Sequence, residues 1–402
     1  MEVKYIKYIL VLFLNIPFLY GNAQSSDENK NTKTIKVGAE RTDLYLPLLK
    51  GKNIAIVANQ TSTIKNTHLV DSLIALGVKV QKVFAPEHGF RGEADAGEKI
   101  ITTTDVKTGL PIVSLYGGHT KPTAKDLEGI DMVIYDIQDV GVRFYTYIST
   151  MQYVMEACAE NNIPFLILDR PDPNGFYIDG PVLEAKYKSF IGLHSIPIVY
   201  GLTAAEYAYM LNGENWLKDS VKCKLMHIPV EGYTHNDFYE LPVKPSPNLP
   251  NMSAIYLYPS LGLFEGTVIS AGRGTSIPFQ LVGYPDYSKG NYKFTPHSIP
   301  GVAKNPPYEN ELCNGLDLSG LDKDYFKNNK AINISWIHDL YNDAKNKKKF
   351  FNSYFNKLAG NASLKQQIIS GITVDEIRKS WQPDLNAYKI IRKKYLLYPD
   401  FE

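Results

Sequence analysis

The sequence predicts an α/β protein: a doubly wound, largely parallel sheet followed by a second, smaller α+β domain. Three observations carry that expectation. Apolar runs without polar alternation recur through the first half and are separated by helical patterns, as in a parallel sheet covered on both faces. A polar segment follows the carboxyl end of one run after another, which is where open α/β sheets build their binding crevice. After about Asp237 the texture changes, with Pro242, Pro245, Pro247 and Pro250 forming a rigid connection.

The elements are read in order. Lys4 and Lys7 precede an apolar run from Tyr8 to Leu19, and Gly21-Asn-Ala23 offers the small residues a signal peptidase reads. Residues 1–23 therefore read as a secretory signal peptide, too short in its apolar core to span a membrane, and 24–34 as a flexible polar leader. The expected location is outside the cytoplasm, periplasmic or secreted. Strands are expected at Asn53–Asn59, Val78–Phe84, Leu110–Leu115, Met132–Ile137, Pro164–Leu168 and Cys223–Ile228. Helices are expected at His68–Leu76, Ala124–Glu128, Tyr147–Glu160 and Thr203–Leu211, the last opened by a capping box of Thr203 and Glu206. These elements make a catalytic domain over 35–237. Short strand-like runs and helical patterns at Trp336–Lys347, Ala362–Ile369 and Val374–Leu397 then make an auxiliary domain over 238–402 that covers the cleft.

Composition excludes several function classes. Formal net charge is +1, from 43 Lys+Arg against 42 Asp+Glu, which argues against a nucleic-acid partner and against general attraction to membrane surfaces. The three cysteines lie far apart and read as small buried hydrophobes, not as a disulfide framework. Only Ala58-Asn-Gln-Thr61 follows the first strand, so the dinucleotide phosphate loop is missing, and no Gly-x-x-x-x-Gly-Lys-Ser/Thr occurs. A Gly-x-Ser-x-Gly elbow, a His-Glu-x-x-His helix and a Cys-x-x-Cys pair are also missing. His88, His119, His194 and His235 have no ligand spacing, so no metal and no organic cofactor is expected.

What remains is carboxylate chemistry with basic and aromatic binders. The stretch Phe84-Ala-Pro-Glu-His-Gly-Phe-Arg-Gly-Glu-Ala-Asp-Ala-Gly-Glu98 concentrates four acidic groups, a His, an Arg and three glycines behind a strand. Pro86 fixes the backbone before Glu87, so Glu87 is the candidate general acid, which must be held within reach of a leaving oxygen. Glu93, further out, is a second candidate with Asp95 beside it, and either reads equally well as a solvated loop acid. His88 and Arg91 on the same loop are candidate substrate contacts. In Gln138-Asp-Val-Gly-Val-Arg-Phe-Tyr-Thr-Tyr147, Asp139 is a further candidate carboxylate and Arg143 a candidate anion binder; the two also fit an ion pair at a helix start. Tyr145 is a candidate sugar platform. Asp169 in Asp169-Arg-Pro-Asp-Pro-Asn-Gly175 is a substrate-binding candidate at a strand end, and Arg273 between Gly272 and Gly274 is a second anion binder.

On these motifs the sequence resembles the bacterial exo-β-N-acetylmuramidases, glycoside hydrolase family 171. The likeness rests on Pro86-Glu-His-Gly-Phe-Arg-Gly92, the 138–147 segment, and Leu168-Asp-Arg-Pro171 with Asn174-Gly175. Pro197-Ile-Val-Tyr-Gly-Leu-Thr203, Pro245-Ser-Pro-Asn-Leu-Pro250, Tyr258-Pro-Ser-Leu-Gly-Leu-Phe-Glu-Gly-Thr267 and Gly272-Arg-Gly-Thr-Ser276 extend it. The resemblance implies a Rossmann-like domain with an auxiliary domain and a cleft between them. It further implies release of terminal N-acetylmuramic acid from the non-reducing end of peptidoglycan fragments such as MurNAc-GlcNAc, with Glu87 as the favoured catalytic residue. A peptidoglycan esterase, amidase or deacetylase, or a non-catalytic cell-wall binding protein, is the alternative.

Overall fold

The computed structural model describes residues 34–92 and 103–402. The expected signal peptide, nearly all of the leader, and Glu93 and Asp95 lie outside the described residues. Ile35 to Glu402 form one compact unit, and no described helix is long and apolar enough to cross a membrane.

The main sheet contains β1 (Asn53–Ala58), β2 (Lys79–Ala85), β3 (Thr103–Thr104), β4 (Pro111–Ser114), β5 (Met132–Asp136), β6 (Phe165–Leu168) and β7 (Leu225–Ile228). Their spatial order is β3-β4-β2-β1-β5-β6-β7. All neighbours are parallel except the short edge strand β3, which runs antiparallel to β4. The chain winds outward from β1 in one direction, returns, and winds out from β5 in the other. This is the Rossmann order, and its switch point lies between β1 and β5.

The six expected strands are all present, and the central ones, β1, β5 and β6, are buried on both faces. Alternate residues of one strand feed opposite cores. Ile54, Ile56 and Ala58 join a cluster with Tyr45 and Leu49 of α1 (Thr42–Leu49) and Leu69, Val70 and Leu73 of α2 (Leu69–Ala75). Ala55 and Val57 point the other way, towards α3 (Tyr147–Glu160) and α4 (Ala204–Gly213). Thr203 caps α4 through the expected box with Glu206.

The C-terminal part holds the helix α5 (Met252–Leu261) and an antiparallel sheet of β8 (Leu281–Tyr284), β9 (Tyr292–Phe294) and β10 (Cys313–Asp317), with β10 central. Most of its buried apolar side chains between Ala254 and Tyr388 belong to the same cluster as the α3 face of the main sheet, while Leu281, Phe294 and Cys313 form a small cluster of their own. The smaller part is thus built onto the larger one through a shared core.

Three departures from the sequence expectation have local causes. Residues 124–129 form successive turns: Thr123 and Asp126 exchange capping-box bonds, but Gly129, at φ 72°, ends the segment before a helix is established. The 374–397 pattern is two helices, Val374–Ser380 and Gln382–Arg392, broken at Trp381 because Pro383, in the first turn of the second, has no N–H to donate to the Lys379 carbonyl. Conversely, α5 forms despite Pro259, which cannot donate to Ile255. Asn174 Nδ2 donates to the Ile255 carbonyl at 3.2 Å and takes the missing partner's place.

Candidate active site

A cleft opens at the carboxyl edge of the main sheet. Glu87 and His88 come from the loop after β2, Phe144 to Tyr147 from the segment that enters α3, and Ser246, Asn248 and Leu249 from the proline-rich connection. Tyr258 of α5, with Arg273 and Phe279 ahead of β8, completes it.

Glu87 is held by backbone as well as side chains. His88 and Gly89 both take left-handed backbone, at φ 68° and 78°, and the Gly89 N–H closes a turn on the Pro86 carbonyl at 3.1 Å. A buried non-glycine residue in that region is strained by about 1–3 kcal/mol, and such residues cluster at functional sites. The Thr146 hydroxyl donates to Glu87 Oε2 at 3.2 Å. The Tyr116 phenol, from the loop after β4, also bonds Glu87, and burial together with the Glu87 charge pushes its pKa well up. Loops after β2, β4 and β5 therefore converge on one carboxylate. His88 Nε2 lies 3.4 Å from Ser246 Oγ.

Aromatic rings form the wall. Tyr258 meets Phe144, Tyr145 and Phe279 edge to face, with centroids at 5.3, 6.1 and 4.9 Å. Tyr145 OH donates to the Pro245 carbonyl at 2.8 Å and so fastens the proline-rich wall. Arg273 lies over the Phe279 ring, its guanidinium carbon 4.9 Å from the centroid. Its Nε and Nη2 both reach Glu265 Oε1, at 2.8 and 2.7 Å, and Nη1 has no partner among the described residues. The expected anion binder Arg273 is therefore braced from one side and faces the cleft.

The other expected charged contacts have been absorbed into the fold. Arg143 is fully buried; Nη1 donates to the carbonyls of Pro181 and Ile196 at 2.8 and 2.7 Å, and Nη2 to that of Leu358 at 2.8 Å. It is a staple between the two parts of the chain and cannot reach a substrate carboxylate, nor does it pair with Asp139. Burial alone pulls its pKa down to about 9, so it stays charged at neutral pH. Arg91 forks onto Asp105 at 2.9 and 2.8 Å and reaches Asp71 at 3.3 Å, a tie between α2 and the β3–β4 edge. Asp169 accepts from the Ala205 N–H at 3.1 Å and the Tyr398 hydroxyl at 2.6 Å, anchoring α4 and the C-terminal tail. The four histidines take separate partners: Ser246 for His88, Asp126 for His119, Gln152 for His194 and Glu206 for His235.

Asp139 is also structural. It lies buried behind the cleft, where Oδ2 accepts from the Gly141 N–H at 2.8 Å and from the Tyr200 hydroxyl, while Oδ1 has no partner. Asp172 packs against Gly141, so closely that a Cβ there would meet its carboxylate at 2.2 Å. Burial pushes Asp139 up to about 6 against bonds from Tyr200 and Gly141 that lower it; burial, then the Asp139 charge, pushes Asp172 well up. A carboxyl whose folded pKa is raised favours the native state when protonated. Its contribution is complete below about pH 3.8 and is lost as pH rises through about 6. A shift of this size corresponds to about 3 kcal/mol. Asp139→Asn removes that ionisation, so its melting temperature relative to the parent should rise between pH 4 and pH 7. Parallel pH profiles for the two proteins would show that the folded pKa of Asp139 equals its unfolded one.

Sequence reasoning passed over Thr146 and Tyr116, which hold Glu87, and Glu265, which braces Arg273. Thr146 sits inside a quoted motif between two tyrosines, and Glu265 lies eight residues before the arginine it pairs with. Tyr116 opens the polar segment after β4, and that position was its one signal.

Known proteins share this arrangement over nearly the whole chain. Residues 54–253 match the N-terminal domain of exo-β-N-acetylmuramidase NamZ and residues 256–398 its C-terminal domain. The peptidoglycan β-N-acetylmuramidase NamZ of Bacillus subtilis (strain 168) is 39% identical, covering 94% of this chain and 95% of its own length. Two crystal structures of DUF1343 family proteins from Bacteroides fragilis NCTC 9343 are similar. One has TM-score 0.85 at 48% identity and the other 0.76 at 28%, each covering 91% of this chain and 99% of its own. With both domain matches in order, on a Rossmann sheet whose loops converge on Glu87, the chain belongs to the exo-β-N-acetylmuramidase NamZ family.

Proposed function

We propose that this enzyme, an exo-acting glycosidase of peptidoglycan, removes terminal N-acetylmuramic acid from glycans such as MurNAc-GlcNAc, with Glu87 as general acid. The observation that carries the assignment is the convergence of three strand-end loops on the Glu87 carboxylate inside an aromatic-walled cleft. Tyr145, Tyr258 and Phe279 offer ring faces and edges to a pyranose. Glu87 protonates the glycosidic oxygen as the bond to the anomeric carbon breaks. Arg273 reads the carboxylate of the lactyl ether, the group that distinguishes muramic acid from glucosamine; its Nη1, without a partner among the described residues, supports that role as a charge-assisted donor. Water is the second substrate. The N-terminal apolar run and a cell-wall substrate together favour export to the periplasm or beyond.

Exo action fits a cleft whose back is closed by α5 and the aromatic wall, since a site closed on one side admits a chain end. On long glycan strands free N-acetylmuramic acid should appear from the first time points while chain length falls slowly, as followed by chromatography. Mid-sized fragments ahead of the monosaccharide would mean an open groove and internal cleavage.

A further inference from the structure

Hydrolysis by a general acid needs a second group to act on water or on the anomeric carbon. Asp139 is sealed behind the cleft and already occupied; among the described residues, Glu265 is the carboxylate that shares Arg273 with the Glu87 cleft. This residue stands on the short helical turn Gly262–Gly266 that continues α5. The turn is locked: a Cβ on Gly266 would lie 2.4 Å from Phe355 Cα, and Asn352 Nδ2 donates to the Glu265 carbonyl at 3.3 Å.

Its carboxylate is engaged on one side only. Both Arg273 contacts go to Oε1, while Oε2 has no hydrogen-bond partner among the described residues and the side chain keeps 27% of its surface exposed. Arg273 lines the Glu87 cleft and also a second cavity of about 210 Å³, whose other walls are Glu265, Ile269, Ala271 and Pro307. That volume has room for several waters beside Oε2. The phenol of Tyr354 ties the two acids together: it is pushed up to about 12 by burial, then by the charges of Glu265 and Glu87, so it lies within electrostatic reach of both.

We propose that Glu265 is the general base that activates the attacking water, and that the enzyme inverts the anomeric centre. The inference rests on Glu87 as acid. Glu87 gives its proton to the glycosidic oxygen as the C1–O bond breaks. The water oxygen bonds to C1 from the other face and loses a proton to Glu265 Oε2. The products are N-acetylmuramic acid and the shortened glycan, and both carboxyls return to their starting states by exchanging protons with solvent. The two Arg273 contacts hold Oε1 and leave Oε2 as the acceptor.

The test uses the full chain. Glu265→Ala should lose turnover on MurNAc-GlcNAc by about 10²–10⁴-fold with KM within a few-fold, and Glu265→Gln should lose about as much while preserving shape. With a 4-nitrophenyl muramide, azide should restore turnover in Glu265→Ala and yield the α-glycosyl azide. Proton NMR of the parent enzyme should show α-N-acetylmuramic acid first, before mutarotation. The β anomer first would overturn the proposal in favour of retention, through an enzyme nucleophile or the substrate's own acetamido group. A defect confined to KM, without azide rescue, would overturn it by making Glu265 only a positioning residue for Arg273. A silent Glu265 beside an impaired Glu87→Gln sinks this inference alone, whereas an active Glu87→Gln sinks the acid assignment beneath it.

Discussion

Glu87→Gln should lower turnover on MurNAc-GlcNAc by about 10²–10⁴-fold and leave the fold intact. The amide preserves the length of the side chain and can still accept from the Thr146 hydroxyl, so the loop turned by His88 and Gly89 has no reason to move. What disappears is the proton that the leaving oxygen must receive. Leaving groups should therefore separate chemistry from structure. A 4-nitrophenyl muramide, whose phenolate departs with little help, should lose far less than the disaccharide. Matched kcat measurements on the two substrates check this, with circular dichroism to confirm folding. Disaccharide turnover within a few-fold of the parent would remove Glu87 from the role of acid.

Arg273→Met should raise KM for muramic substrates by roughly 10–150-fold, the equivalent of a charge-assisted hydrogen bond of about 1.5–3 kcal/mol. The matching glucosaminide lacks the lactyl carboxylate and should bind almost as before, so discrimination between the two collapses. Methionine retains enough apolar length to cover the Phe279 ring that the guanidinium now overlies. Arg273→Lys keeps the charge without the fork and should fall between the two. Unchanged discrimination in Arg273→Met would assign the lactyl arm to another group.

The sheet was legible because its central strands β1, β5 and β6 are buried on both faces and so leave apolar runs such as Phe165–Leu168. Helices containing an internal proline were not. Nothing near Pro259 says that Asn174, 81 residues away in sequence from Ile255, will supply the missing donor. The same distinction runs through the site. Glu87, His88, Tyr145 and Arg273 were recognisable as a group and do meet in one cleft. Arg143, Asp139 and Asp169 sit in equally dense motifs, yet they face inward, and their partners at Leu358, Tyr200 and Tyr398 are remote in sequence. A charged residue at a strand end announces that it is needed there, but whether it serves the cleft or the core depends on contacts that no local pattern contains. Glu265 escaped notice for the complementary reason, since it closes an apolar stretch whose neighbours all read as packing.

The buried anchor at Asp169 has a consequence for how the molecule comes into being. Tyr398 reaches back 229 residues to its carboxylate and 168 to the Val230 N–H, and Tyr388 reaches back 188 to the Tyr200 carbonyl. The sheet that carries Glu87 therefore obtains some of its buried bonds from residues far along the chain. A fragment that stops short of Tyr388 leaves Asp169, the Val230 N–H and the Tyr200 carbonyl without these partners. Assembly of the sheet is thus coupled to the docking of residues 388–398.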